Sequence, residues 1–210
     1  MRIKAKDPRL VSLMGEFMRT YLPGVRNRDD DTIDSYRYSI NLFVAYLESE
    51  HKVTVLTMQS SDFSQKNIVG FMAWLKSERK NVATTINHRL SDLRGFCKYL
   101  YKKNALSLDE YEAIREINDV DDDRVIDFTW LSTNDVCLVL KSTDSNREAI
   151  RDRFLLSLLY ESGARINEVL SLKLLDIKPT SNGEADVHFY GKGKKHRITP
   201  LSKEIWEQYE

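Results

Sequence analysis

The sequence predicts a mainly α-helical protein that acquires a small β-hairpin near its end. Three observations carry this. Before residue 105, apolar residues recur at three-to-four spacing in four separate stretches. From Ile117 to Arg124 the chain turns polar and acidic, with Asp119, Asp121, Asp122 and Asp123 in the run. After residue 185 the apolar period changes to two on both sides of a glycine–lysine turn. The predicted organisation is a helical domain over 1–116, an acidic linker over 117–128 and an α+β segment over 129–210.

The first helix carries Leu10, Leu13, Met14, Phe17, Met18 and Tyr21 and is expected to stop at Leu22-Pro23-Gly24, a breaker pair. The second begins at Asp29-Asp30-Asp31, whose charge suits a helix N-terminus, and has the stripe Ile33, Tyr36, Ile40, Phe43, Val44 and Leu47. Ser61 or Asp62 is the expected cap of a third, with Ile68, Phe71, Met72 and Leu75 inside. The fourth holds Ile86, Leu90, Leu93, Cys97 and Leu100, and a short fifth is expected near 107–117. Amphipathic helices with short links pack as a bundle.

After the linker, Ser132 or Thr133 should cap a helix whose apolar face is Val136, Cys137 and Leu140. Arg147 to Ser162 reads as a strong helix with Ile150, Phe154, Leu155, Leu158 and Leu159 inward, broken by Gly163. A short helix follows from Arg165 to about Leu172. Ala185–Tyr190 and His196–Pro200 are strand-like and flank Gly191-Lys192-Gly193-Lys194-Lys195. Ser202 should cap a final helix.

Composition narrows the function classes. Of the 210 residues, 41% are hydrophobic and 30% charged, a globular balance that argues against disorder throughout. The N-terminus MRIKAKDPRL has no apolar run of a secretory signal, and no stretch approaches the roughly 18 apolar residues of a membrane span. A cytoplasmic protein is expected. Cys97 and Cys137 read as small buried thiols, and the four histidines form no metal-type pair, so no metal site is expected.

The 32 basic and 32 acidic residues sum to zero, but unevenly. Residues 51–104 carry ten basic against three acidic groups, a net +7, and 105–128 carry two against nine, a net −7. The basic block is a candidate phosphate-facing surface; on charge alone it reads equally as a solvated helix face. The GKGKK turn lacks the helix and hydroxyl that a nucleotide-binding phosphate loop needs, so it is either a basic turn reaching for a phosphate backbone or an ordinary exposed hairpin. Arg165 follows the Gly163 break, and Glu168 lies one helical turn on. Arginine presents a planar fork of donors that suits phosphate, and a carboxylate can hold it; the bland alternative is a surface ion pair of little worth.

Taken together, GARINEVLSLKLLDI and, later, FYGKGKKHRITPL resemble the catalytic domain of the tyrosine recombinase (phage integrase) family. The matching residues are Arg165, Glu168 and Asp176 in the first box, and Gly191-Lys192-Gly193 with Arg197 and Pro200 in the second. TTINHRLSDLRGFCKYLYKK and the bundle around it resemble the family's N-terminal, SAM-like core-binding domain, so the resemblance covers nearly the whole chain.

The resemblance implies a clamp on double-stranded DNA and attack by a tyrosine on a phosphodiester, giving a 3′-phosphotyrosyl link and a free 5′-hydroxyl. It implies no cofactor, no metal and no small-molecule substrate. Arg165 would hold the non-bridging oxygens, Lys192 would protonate the leaving 5′-oxygen, and Glu168 would support the arginine. Further DNA contacts are expected from Thr84, Thr85, Asn87, Arg89 and Arg94 in the basic block, and from Lys194 and Lys195 at the turn. The family's His-x-x-Arg box and nucleophilic tyrosine have no counterpart: His188 and His196 are followed at +3 by Gly191 and Thr199, and Tyr209 has no partners upstream. The expectation is a fragment that binds DNA without cleaving it, with tetramer formation on DNA belonging to the full-length protein. The alternatives are a non-catalytic helical DNA-binding regulator or domesticated integrase relative, and a protein-interaction scaffold.

Overall fold

The computed structural model describes residues 5–122, 130–142, 147–191 and 195–207. Lys192, Lys194 and Tyr209 lie outside the described residues, as does the side chain of Lys195. The chain divides into two units, Met1–Val125 and Ile126–Glu210.

The first unit is a helical bundle. Helix α1 (Pro8–Glu16) starts with proline at its first position, and Asp7 accepts from the Leu10 N–H at 2.9 Å as its cap. The same carboxylate accepts from the N–H and hydroxyl of Ser60, tying this helix end to a distant loop. The helix does not stop at Pro23. It widens into π turns over Phe17–Val25 with Pro23 inside. An interior proline costs about 3 kcal/mol in an α-helix, partly through its clash with the carbonyl four residues back. A wider turn relieves that clash, and burying Leu22, worth about 1.5–3 kcal/mol, favours continuing.

Helix α2 (Asp30–His51) is capped by Asp29, which accepts from the Thr32 N–H, and ends at Lys52 in the left-handed region. Helix α3 (Gln65–Ser77) is capped by Ser64 and not by Ser61 or Asp62. Asp62 instead accepts from the Gln59 N–H and closes a single 3-10 turn, Ser60–Asp62. Phe63 explains the shift. Its ring is fully buried about 5.1 Å from both Phe43 and Phe96, so the chain dips into the core before the helix can start. Helix α4 (Ala83–Lys102) buries the expected stripe and also Phe96 and Tyr99. Phe17 sits among Tyr21, Tyr36, Phe96 and Tyr99, with ring centroids 5.0–5.7 Å away. Helix α5 (Leu108–Arg115), capped by Ser107, closes the bundle with Ile114.

The acidic segment after α5 begins as part of this unit. Ile117 is buried and Val120 packs on the core. Asn87 on α4 exchanges two hydrogen bonds with the Val120 backbone, at 2.9 and 2.8 Å. Arg94 pairs with Asp119 at 2.9 Å and donates to the Ile117 carbonyl.

In the second unit, α6 (Thr133–Lys141) opens with a reciprocal Ser132–Asp135 capping box. Its predicted face is only half covered: Val136 and Leu140 are partly buried and Cys137 is exposed. Helix α7 (Arg147–Ser162) turns Leu158, Ser157 and Ala149 inward and leaves Ile150 exposed, against expectation. Gly163, at φ +57°, supplies the left-handed turn that ends it. A short helix α8 (Ile166–Leu170) follows, and then a 3-10 turn, Leu174–Asp176. Three antiparallel strands come next, β1 (Ile177–Pro179), β2 (Ala185–Gly191) and β3 (Lys195–Leu201), in that order across the sheet. β1 was not anticipated: three residues ending in proline are too short to show a period. Val187, Phe189, Ala185 and Leu201 pack with Leu158, Val169 and Ile177. Helix α9 (Lys203–Trp206) follows Ser202, whose N–H donates to the Glu161 carboxylate while its hydroxyl makes no cap.

Cys97 is buried and Cys137 is exposed, so only one of the two thiols follows the expectation from sequence.

At Gly95, α4 meets the Tyr36 side chain of α2. A Cβ there would stand 2.6 Å from the Tyr36 hydroxyl and 2.9 Å from its ring. Gly95→Ala is expected to destabilise the first unit by about 1–3 kcal/mol in urea unfolding, as overpacking does. Gly24→Ala, where a Cβ meets nothing within 4 Å, should be close to neutral. Equal effects of the two substitutions would contradict this packing.

Candidate phosphate-binding site

The site grows from the end of α7. The Gly163 turn redirects the chain, and the Ser162 hydroxyl accepts from the Ala164 N–H. Arg165 is then extended, at φ −70° and ψ 145°, as the residue that caps α8. Glu168 lies one turn further, only 5% exposed, and its carboxylate folds back. Its Oε2 accepts from the Arg165 backbone N–H at 2.9 Å and its Oε1 from Arg165 Nη1 at 3.1 Å. From the sheet, Arg197 Nη2 donates to Oε2 at 2.8 Å, with its guanidinium over the Phe189 ring at 4.8 Å. One buried carboxylate therefore joins two guanidinium groups. The Arg165 side chain is 76% exposed, so its remaining donors face outward.

This is more than a surface ion pair. Hydrogen bonds from Arg197 and from the Arg165 backbone and side chain hold the Glu168 carboxyl at about 2, below its ordinary 4.5, and outweigh the opposing effect of burial. An outward arginine fixed from behind can take two oxygens of a phosphate. Asp176, the third residue of the first box, accepts from the Lys173 N–H at 2.8 Å and closes the 3-10 turn. Among the described residues it bonds neither Arg165 nor Glu168.

In the first unit, the expected DNA contacts fall on α4. Thr84 is exposed and Thr85 partly buried. Arg89 donates to the Ser39 hydroxyl at 3.1 Å, lies 3.9 Å from Asp92 and stacks over the Tyr38 ring at 4.5 Å. Asn87 and Arg94 are engaged by the acidic segment described above. Of the lysines at the hairpin turn, only the Lys195 backbone is described, paired with Gly191.

Residues 129–210 match the phage integrase family, and residues 16–104 match the phage integrase N-terminal SAM-like domain. The two matches take in most of the chain, which belongs to the tyrosine recombinase family. It is similar to tyrosine recombinase XerD of Oceanobacillus iheyensis, 29% identical over 193 residues, covering 88% of this chain and 59% of that protein. It is similar also to XerC of Syntrophus aciditrophicus, 28% identical over 194 residues, covering 91% and 60%. Among solved structures, it shares its fold with the XerH site-specific recombinase bound to difH substrate in a pre-cleavage complex. That likeness has a TM-score of 0.59 at 18% identity and covers 99% of this chain and 61% of that one. The Tn1549 transposon integrase in complex with a circular intermediate DNA shows the same fold, with a TM-score of 0.60 at 12% identity, covering 92% and 62%. The chain thus spans about three fifths of the length of the relatives it matches.

Two features escape a reading by spacing. Arg197 is read from the sequence as a member of the second box with no role at the first, yet it completes the Glu168 cluster. The available signal was the two-residue period back from Leu201, which puts Thr199 and Arg197 on the inward face. His188 and His196, eight residues apart, meet across the strands with ring nitrogens 3.0 Å apart, and Tyr190 stacks on His196.

Because the Glu168 carboxyl binds its proton less tightly in the folded protein than in the unfolded chain, it contributes stability above about pH 5 that is lost as pH falls towards about 2. Carbon-13 NMR should show the Glu168 carboxyl still ionised at about pH 4. A midpoint at the ordinary glutamate value would rule out the doubly bonded arrangement. Glu168→Gln should make the acid limb of the unfolding curve shallower across the same range.

Proposed function

We propose that this chain is the DNA-binding part and the first half of the catalytic domain of a site-specific tyrosine recombinase. The observation that carries the reading is the outward Arg165 guanidinium held by the buried Glu168 carboxylate. In strand cleavage the scissile phosphate becomes pentacoordinate and its non-bridging oxygens gain charge. Arg165 faces those oxygens and neutralises that charge without having to reorganise. Lys192, at the hairpin turn, protonates the leaving 5′-oxygen. Thr84, Thr85 and Arg89 on α4 meet backbone phosphates, which position a duplex without reading its sequence. Asn87 and Arg94 can join them only by exchanging the acidic segment for phosphate.

The nucleophilic tyrosine and the His-x-x-Arg box belong, in this reading, to a further part of the catalytic domain. Three facts support it. The sequence to residue 210 holds no His-x-x-Arg box, and the relatives are longer. The second unit also exposes Trp130, Leu131, Leu138, Leu170, Leu174 and Leu175, the last at 85%. Large apolar side chains exposed in this number suit a surface that a further segment covers. The 210 residues alone therefore bind DNA and do not cleave it. The complete protein acts on DNA in the cytoplasm and assembles as a tetramer. The one observation favouring a non-catalytic regulator is the same missing box, and the adduct assay below separates the two.

Duplex affinity of the 210-residue chain should fall steeply with salt, with a slope near −0.9 for each phosphate neutralised. A flat salt response would contradict a phosphate-facing surface. Denaturing gels should show no covalent protein–DNA adduct with this chain. When the chain is extended through a downstream His-x-x-Arg and tyrosine, an adduct should form. In that longer protein, Arg165→Ala should slow cleavage about 10²–10³-fold, well beyond the roughly tenfold loss of duplex binding that one missing phosphate contact brings. Cleavage at the original rate would remove Arg165 from the chemistry.

A further inference from the structure

Arg197 occupies an unusual place for an arginine. It pairs in register with Phe189 and shares the inward face of the sheet with Ala185, Val187 and Leu201. Its side chain keeps 38% exposure there, so the charge is only partly screened from water and gains from a partner. Arg197 finds two, the Phe189 ring and the Glu168 carboxylate. Glu168 could instead have served Arg165 alone, since a free carboxylate and a guanidinium prefer a bidentate, fork-to-fork pairing. The terminal torsion of glutamate is soft and would allow it. Here the two oxygens are divided. Arg197 and the Arg165 backbone N–H occupy Oε2, which leaves Oε1 to take a single Arg165 N–H. Only one of the five guanidinium donors of Arg165 is spent on Glu168, and the side chain stands out from the surface.

We propose that Arg197 is a positioning residue for the Arg165 phosphate site: by holding Oε2 from the sheet, it prevents a bidentate Arg165–Glu168 pair that would draw the guanidinium down and consume its donors. The inference rests on the reading of Arg165 as a phosphate ligand. It also gives β3 a purpose beyond the core. The strand that leaves the Gly191–Lys195 turn is bonded to the carboxylate behind Arg165, so the hairpin and the arginine share one anchor.

The test uses the 210-residue chain with an unlabelled and a fluorescent duplex. Arg165→Ala should weaken duplex binding about tenfold and lower the salt slope by about one. Arg197→Gln should do nearly the same, although its side chain lies behind the phosphate site. The double variant should bind no worse than either single one, because both remove the same contact. Arg197→Lys, which keeps the charge and a donor, should recover most of the affinity. Multiplying losses in the double variant, or native affinity for Arg197→Gln, would overturn the proposal. The second readout needs no DNA. Nitrogen-15 NMR of the Arg165 guanidinium should show freer rotation in the parent chain and a restrained, doubly bonded group in Arg197→Gln. Identical Arg165 signals in the two proteins would also overturn it. If Arg165→Ala leaves affinity and salt slope untouched, the phosphate reading fails, and the NMR comparison alone decides the role of Arg197. Should Arg197→Gln lose the amide pattern of the sheet, Arg197→Lys and Arg197→Met are compared by the same two measurements.

Discussion

A carboxylate removed from water must be compensated, and in the second unit that demand organises the structure. Glu168 sits at the start of a five-residue helix with almost no access to solvent. An ion left there alone would lose hydration with nothing in exchange. Two arginines from different elements answer it, and in doing so they fix relations that backbone pairing leaves open. The Gly163 turn brings Arg165 to the carboxylate from the chain side, and β3 brings Arg197 from the sheet side. The short helix, the turn before it and the last strand are therefore held to one another by charge as well as by the small apolar cluster around Leu158 and Phe189. That cluster is modest, which makes the polar anchor matter more.

The first unit solves a different problem with different means. Its core is large and aromatic, with Phe17, Phe43, Phe63, Phe71, Phe96 and Tyr99 all nearly inaccessible. Polar side chains also meet at seams between helices. Between α2 and α4, Ser35 and Ser39 donate to Asp92 while Arg89 donates to Ser39. Along the opposite flank of α4, Asn87 and Arg94 hold the acidic segment. Part of the +7 excess that marks residues 51–104 is thus already matched in place by acids outside the block, Asp119 on Arg94 and Glu16 on Lys103.

What could be read from the residues divides along physical lines. Helices with one continuous stripe, such as α2 and α4, were legible because their burial follows a single period. Features set by distant contacts were not. Phe63 moved the start of α3 by reaching into a core that spacing does not show, and Leu22 carried the first helical segment past its proline. Ile150 lies on the exposed side of α7, which its spacing alone does not reveal. In the site, Arg165 and Glu168 were legible as neighbours one turn apart. Arg197 joined them only through strand register, and the histidine pair likewise depends on two strands lying side by side. Lys192, Lys194 and Tyr209 fall outside the described residues and add nothing to this comparison.

The two cysteines, which the sequence presents as equals, end in opposite chemical situations. Cys97 is enclosed in α4, where burial pushes its thiol far up and suppresses the thiolate that reacts. Cys137 lies open on α6. Mild alkylation therefore discriminates between the halves of an otherwise native chain. It tags the second unit at one natural position and leaves the bundle untouched, so a probe can be attached there without engineering a new residue.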